Sequence, residues 1–160
     1  MNKQLALAIA ASFAISPVLA GCAPVPSDDD IAASVEQAVN SRVPNVSGSY
    51  ASLGYSGANR TVWVRLYVTS ESPDDLAAMI DSTFETVWET SAVHPSRITI
   101  DAHVGERPDD VQLSPRTGID LRPAADLLGL GDEAFDKVVV LSAADLVDRY
   151  GAWTAAQADD

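Results

Sequence analysis

Residues Arg60 to Thr69, RTVWVRLYVT, alternate in character more strictly than any other stretch of the chain. Successive side chains of a strand point to opposite faces. Val62, Val64, Leu66 and Val68 therefore share one face, and Trp63, Arg65 and Tyr67 share the other. A strand with one wholly aliphatic face has to lie on a core, so the neighbouring segments must supply its cover.

Upstream, Val46 to about Tyr55 reads as a hairpin partner joined through the turn residues SGAN. Its glycines and serines interrupt the alternation and mark a bulge or an edge strand. Downstream, Ser72 caps a helix, Pro73 takes its first position, and Asp74 and Asp75 complement its dipole. Leu76, Ile80, Phe84, Val87 and Trp88 form a broad apolar stripe over Pro73 to Ser91, with Met79 and Thr83 beside it. Arg97 to Val104, RITIDAHV, returns as a strand with Ile98, Ile100, Ala102 and Val104 inward and Arg97, Thr99, Asp101 and His103 outward.

An earlier helix starts at the cap Ser27, with Asp28, Asp29 and Asp30 in its first turn. Ile31, Val35, Ala38, Val39 and the stem of Arg42 lie on one face, and Pro44 ends it. Consecutive helical aspartates point to different sides, so this triplet caps a helix rather than caging a metal.

The order helix-strand-strand-helix-strand predicts an α+β domain. It has a small antiparallel or mixed sheet of three to four strands, two helices packed on one face, and a carboxy-terminal helical segment. FDKVVVL supplies the fourth strand, and SAADLVDRYGAW, capped by Ser142, the terminal helix with Leu146, Val147 and Tyr150 on its face. Pro123 to Leu128 reads as a helical turn or two, and Val111–Leu113 as a short strand piece within a long loop. At 160 residues the chain suits one domain.

Charge narrows the partners. Twenty-three acidic residues against ten Lys and Arg give −13. Such a surface repels nucleic acid phosphates and anionic headgroups, which argues against a nucleic acid partner and leaves basic partners open. The single cysteine, Cys22, excludes an intramolecular disulfide and a cysteine-paired zinc site.

The amino terminus is a sorting signal in form. A short start with Lys3 precedes Leu5 to Ile15, an almost unbroken apolar run that is too short for a spanning helix of about 20 residues. Leu19-Ala20-Gly21-Cys22 follows, and it resembles the lipobox of bacterial lipoproteins. That resemblance covers the first 22 residues and implies cleavage between Gly21 and Cys22, with a diacylglyceryl group on the Cys22 sulfur. Burial of acyl chains contributes about 0.8 kcal/mol per CH₂, so two chains suffice to anchor. The expected division is a signal peptide at 1–21, a lipidated Cys and linker at 22–29, a globular domain at 30–152 and a frayed tail at 153–160. The expected address is the extracytoplasmic side of a cell membrane.

Three constellations bear on chemistry. Gly54 to Ala58, GYSGA, is close to a nucleophile elbow around Ser56, but an elbow needs a helix after the serine and here a strand follows. A hairpin turn is the expectation. Asp101 and His103 share a strand face with Glu106 close behind, a weak candidate for a metal site or an acid/base pair. Trp63, Arg65 and Tyr67 form an aromatic and cationic face with two open readings: cover by the carboxy-terminal segment, or contact with a partner. Asn45 and Asn59 sit in glycosylation patterns that a bacterial lipoprotein gives no reason to use.

The function expected from these features is a non-enzymatic, lipid-anchored envelope lipoprotein that binds or assembles with an envelope partner, without catalytic residues or a cofactor. The alternatives are a small envelope hydrolase or metal-binding protein using Asp101, His103 and Glu106, and a minor solute-binding lipoprotein. The last is disfavoured because so short a chain cannot make two ligand-closing lobes.

Overall fold

A computed structural model describes residues 26–111 and 118–155. The elements are α1 (Asp28–Arg42), β1 (Val46–Ser56), β2 (Asn59–Val68), α2 (Pro73–Thr90), β3 (Arg97–Val104), α3 (Arg122–Leu127), β4 (Ala134–Phe135), β5 (Val138–Ser142) and α4 (Ala143–Tyr150), with one 3-10 turn at Gly131–Glu133. The strands form one mixed sheet in the order β1-β2-β3-β5-β4. β2 and β3 run parallel, in register from Thr61 beside Arg97 to Val68 beside Val104, while the other pairs are antiparallel.

The α+β class holds, and the sheet is larger than the expected three to four strands. FDKVVVL divides into β4 and β5 around a turn at Asp136 and Lys137, which raises the count to five. Asp136 adopts a positive φ of 57°, a conformation asparagine and aspartate tolerate, so the chain reverses inside what reads as one apolar run. α3 occupies the expected short helix at Pro123 to Leu128, and among the described residues there are four helices in all. The bulge expected in the first hairpin strand is an irregular register between Val46 and Gly48, and β1 is an edge strand. Val111 lies outside any strand, and Gln112 and Leu113 lie outside the described residues.

One face of the sheet carries the core. Val62, Val64 and Leu66 of β2, Ile98 and Ile100 of β3, and Val139 and Leu141 of β5 are almost fully covered. Val35 and Val39 of α1, Ile80 and Phe84 of α2, and Leu146 of α4 belong to the same cluster. Val104, expected inward, is instead 56% exposed. It ends β3 beyond the last pairing with β5, at Asp101, so β5 does not flank it.

Two helices carry reciprocal caps. The Ser27 hydroxyl accepts the Asp30 N–H while the Asp30 carboxylate accepts the Ser27 N–H, and Ser142 and Asp145 repeat the arrangement at α4. Ser96, just before β3, ties that strand to β2 and to the start of α4. Its N–H donates to the Arg60 carbonyl at 2.8 Å, its hydroxyl accepts the Arg60 N–H at 3.2 Å, and its carbonyl accepts the Ala143 N–H at 3.0 Å. Trp153, at the start of the expected tail, packs against the core and meets His94 edge-on at 5.2 Å.

Phe84 has no exposed surface and lies at the centre of the helical cover. Phe84→Ala is expected to lower the unfolding free energy by about 3–5 kcal/mol in a urea melt, and a loss below about 1 kcal/mol would contradict this packing.

Candidate functional site

The face turned away from the helices is built from alternate residues of β2 and β3. Their register sets Trp63 beside Thr99, Arg65 beside Asp101 and Tyr67 beside His103. The three side chains expected to share a face do so, but they differ in exposure: Trp63 is 39% exposed, Arg65 4% and Tyr67 5%. Of the three, Trp63 alone presents surface to a partner.

Arg65 and Asp101 form a buried ion pair. The Arg65 Nε lies 3.1 Å from both carboxylate oxygens and Nη2 lies 2.5 Å from Oδ2. Burial works against the charge on Arg65, and its bonds to Asp101 outweigh that, so its pKa rises above the ordinary value. His103 is affected the other way. Burial, then the Arg65 charge, holds its pKa below the usual 6.5, against an opposing pull from Asp101. Its Nε2 is buried without a hydrogen-bond partner and stands 3.6 Å from the Asp101 Oδ2. The ring also lies 6.1 Å from that of Tyr67.

The chain after β3 stays bonded to the ends of β2 and β3. Gly105 donates to the Val68 carbonyl at 2.9 Å, and Ile119 donates to the Ala102 carbonyl at 2.8 Å. Arg107 then lies over β1. Its guanidinium stands 5.5 Å from the centre of the Tyr50 ring and donates to the Ser49 carbonyl at 2.7 Å and to the Glu36 carboxylate at 2.6 Å. The other Glu36 oxygen accepts the Ala51 N–H at 2.9 Å. Two outward-facing backbone groups of the β1 edge are thus occupied by side chains, which blunts that edge against pairing with another strand. Gly48 makes room: a Cβ there would lie 3.1 Å from that of Arg107.

Asp101, His103 and Glu106 do not assemble into a metal site. Asp101 gives both its oxygens to Arg65, and Glu106 is exposed in the chain beyond β3. Among the described residues no group of three or more His, Cys, Asp or Glu side chains is placed to hold a metal ion. Ser56 ends β1 and enters the turn at Gly57, which has a positive φ of 62°, so GYSGA forms a hairpin and the strand β2 follows. Gly21 and Cys22 lie outside the described residues. No helix among the described residues is long and apolar enough to cross a membrane.

Two participants escaped the sequence reading. Arg107 sits in a Pro- and Asp-rich run with no periodicity to flag it. Phe135 reads as part of a strand, yet it is 64% exposed. No protein-family model, curated protein or solved structure matches the chain.

The ion pair yields a mutational test. Asp101→Ala leaves a buried guanidinium without its carboxylate and is expected to cost about 3–5 kcal/mol in a denaturant melt. Arg65→Met combined with Asp101→Leu should recover most of that loss, and a double variant as unstable as the single one would refute the account.

His103 yields a pH test. Its pKa in the folded state lies below the unfolded value of about 6.5, so the neutral form is favoured by folding. This stability is fully present above the unfolded pKa and is lost as pH falls through the folded one. Stability should therefore decline as pH falls below about 6.5, and His103→Gln should flatten the decline. An unchanged slope in the variant would assign the effect to other groups.

Proposed function

We propose that the chain is a lipid-anchored lipoprotein of a bacterial envelope, held on the extracytoplasmic side of a membrane through Cys22. Its folded domain binds or assembles with an envelope partner and carries out no reaction of its own. The observation that carries the reading is Leu19-Ala20-Gly21-Cys22 directly after an apolar run of signal-peptide length, with Cys22 the only cysteine of the chain. Trp63 supports the binding half. It is a large aromatic ring standing 39% exposed on the sheet face opposite the described helices, and such rings serve as anchors at interfaces.

Neither alternative is favoured by an observation of this site. The carboxylate that a hydrolase or metal protein would use is committed to a buried ion pair with Arg65, and the His103 imidazole stands 3.6 Å from it without a hydrogen bond.

Cys22→Ser is expected to abolish labelling by radioactive palmitate and to move the protein from the membrane fraction to the soluble one. Unchanged fractionation would overturn the anchoring. For the binding half, a photo-crosslinking residue at position 63 in intact cells should join the chain to one envelope protein reproducibly, with the same residue at exposed Asp29 as the negative control. No position-specific product would overturn the partner contact.

A further inference from the structure

We propose that a cleft along Val140–Ser142 of β5 docks an extended, lysine- or arginine-bearing segment of a partner protein. This rests on the partner-binding reading above and names the chemistry of the partner.

The cleft follows from how short β4 is. Only Ala134 and Phe135 pair with β5, opposite Val139 and Val138. The chain reaches them through the 3-10 turn at Gly131–Glu133, so among the described residues no strand lies beside Val140–Ser142 on that side. A hollow of about 470 Å³ takes the place of one, with Val140, Phe135 and Arg97 on the sheet side and Asp132, Glu133 and Asp145 around it. Past Glu133 and Asp145 a second hollow of about 430 Å³ continues over Leu130 and Leu141 to Asp148 and Arg149. The two share those acidic residues and so adjoin as one trough, in which Phe135 is the exposed apolar side chain and Leu141 is fully buried.

The charge on the rim selects the occupant. Asp132, Glu133, Asp145 and Asp148 face the trough, against Arg97 at one end. Arg149 is engaged elsewhere, donating to Asp81 at 2.8 Å and to the Leu128 carbonyl at 3.3 Å. The Asp145 carboxylate stays ionised, held low by the Ser142 hydroxyl and N–H. A segment carrying lysine or arginine gains from such a rim, whereas a second copy at −13 or an anionic lipid surface is repelled by it. The apolar part of the contact is Phe135, 64% exposed, with Val140 beside it. The opposite edge of the sheet offers no equivalent, because Arg107 and Glu36 occupy the β1 backbone.

The test uses the full-length chain in detergent and a fluorescein-labelled peptide, Lys-Val-Lys-Val-Lys-Val-Lys, in polarisation titrations. Saturable binding that weakens with added salt is expected. Replacing every lysine of the peptide by glutamate should abolish it, and replacing every valine by serine should weaken it. Glu133→Lys should weaken binding about tenfold and Phe135→Ala by a similar factor, while Asp29→Lys, the same charge change on α1, should leave it unaltered. Both altered cleft side chains stand outside the buried core, so circular dichroism should remain native.

Absence of saturable binding overturns the proposal. So does equal weakening by Asp29→Lys, which would mark attraction to acidic surface in general, or indifference to both cleft variants. If the peptide fails while crosslinking at position 63 still yields a specific partner, the cleft is excluded and the binding reading stands. If crosslinking at position 63 fails while the peptide behaves as expected, the contact around Trp63 is wrong and the cleft remains.

Discussion

Parallel pairing of β2 with β3 is the constraint from which the rest of the architecture follows. Adjacent parallel strands cannot be joined by a tight turn and need a crossover, here α2. The crossover lies on the face carrying Val62, Val64, Ile98 and Ile100, and α1, α3 and α4 contribute to the same core. All helical cover is thereby spent on one side. The other side has to be finished by strand side chains and by the chain that leaves β3.

That second face is finished in two ways. Toward the end where β3 stops, Arg65, Tyr67, Thr99 and Asp101 are buried, and a full ion pair lies where an aliphatic layer would otherwise be needed. Replacement of such a pair by apolar side chains is often neutral or stabilising, so its presence is weak evidence for stability. Its visible effect is to occupy Asp101, while burial, with the Arg65 charge behind it, favours the neutral form of His103 against the pull of Asp101. Toward the hairpin end the face stays open around Trp63.

The sequence was most legible where local pattern and tertiary role coincide. β3 begins and ends where alternation placed it, α2 starts at the predicted proline, and Ser27 and Ser142 act as caps, whereas the Ser72 side chain, also expected to cap, makes no capping bond. Legibility failed where burial depends on distant chain. Nothing local to Arg65 or Tyr67 tells that both side chains are buried while Trp63 is not, so cover and exposure are equally compatible with the pattern of that face. β4 was missed because two residues are too few to show a period, and its turn sits inside an apolar run. The cleft depends on that shortness, so it was invisible for the same reason.

The contact between the Tyr55 hydroxyl and the Asp28 carboxylate carries a geometric consequence. It fixes the start of α1 to the hairpin end of the sheet, the end where Ser96 joins β2, β3 and the first residue of α4. Five residue steps separate Ser27 from Cys22, a reach of at most about 18 Å. Under the proposed anchoring the hairpin end therefore stands near the lipid, and Arg97 and Ser142 of the cleft stand there with it. A partner would then be met by lateral diffusion within the plane of the bilayer. Such a two-dimensional search lets a modest contact suffice, because tethering raises the local concentration of each molecule for the other.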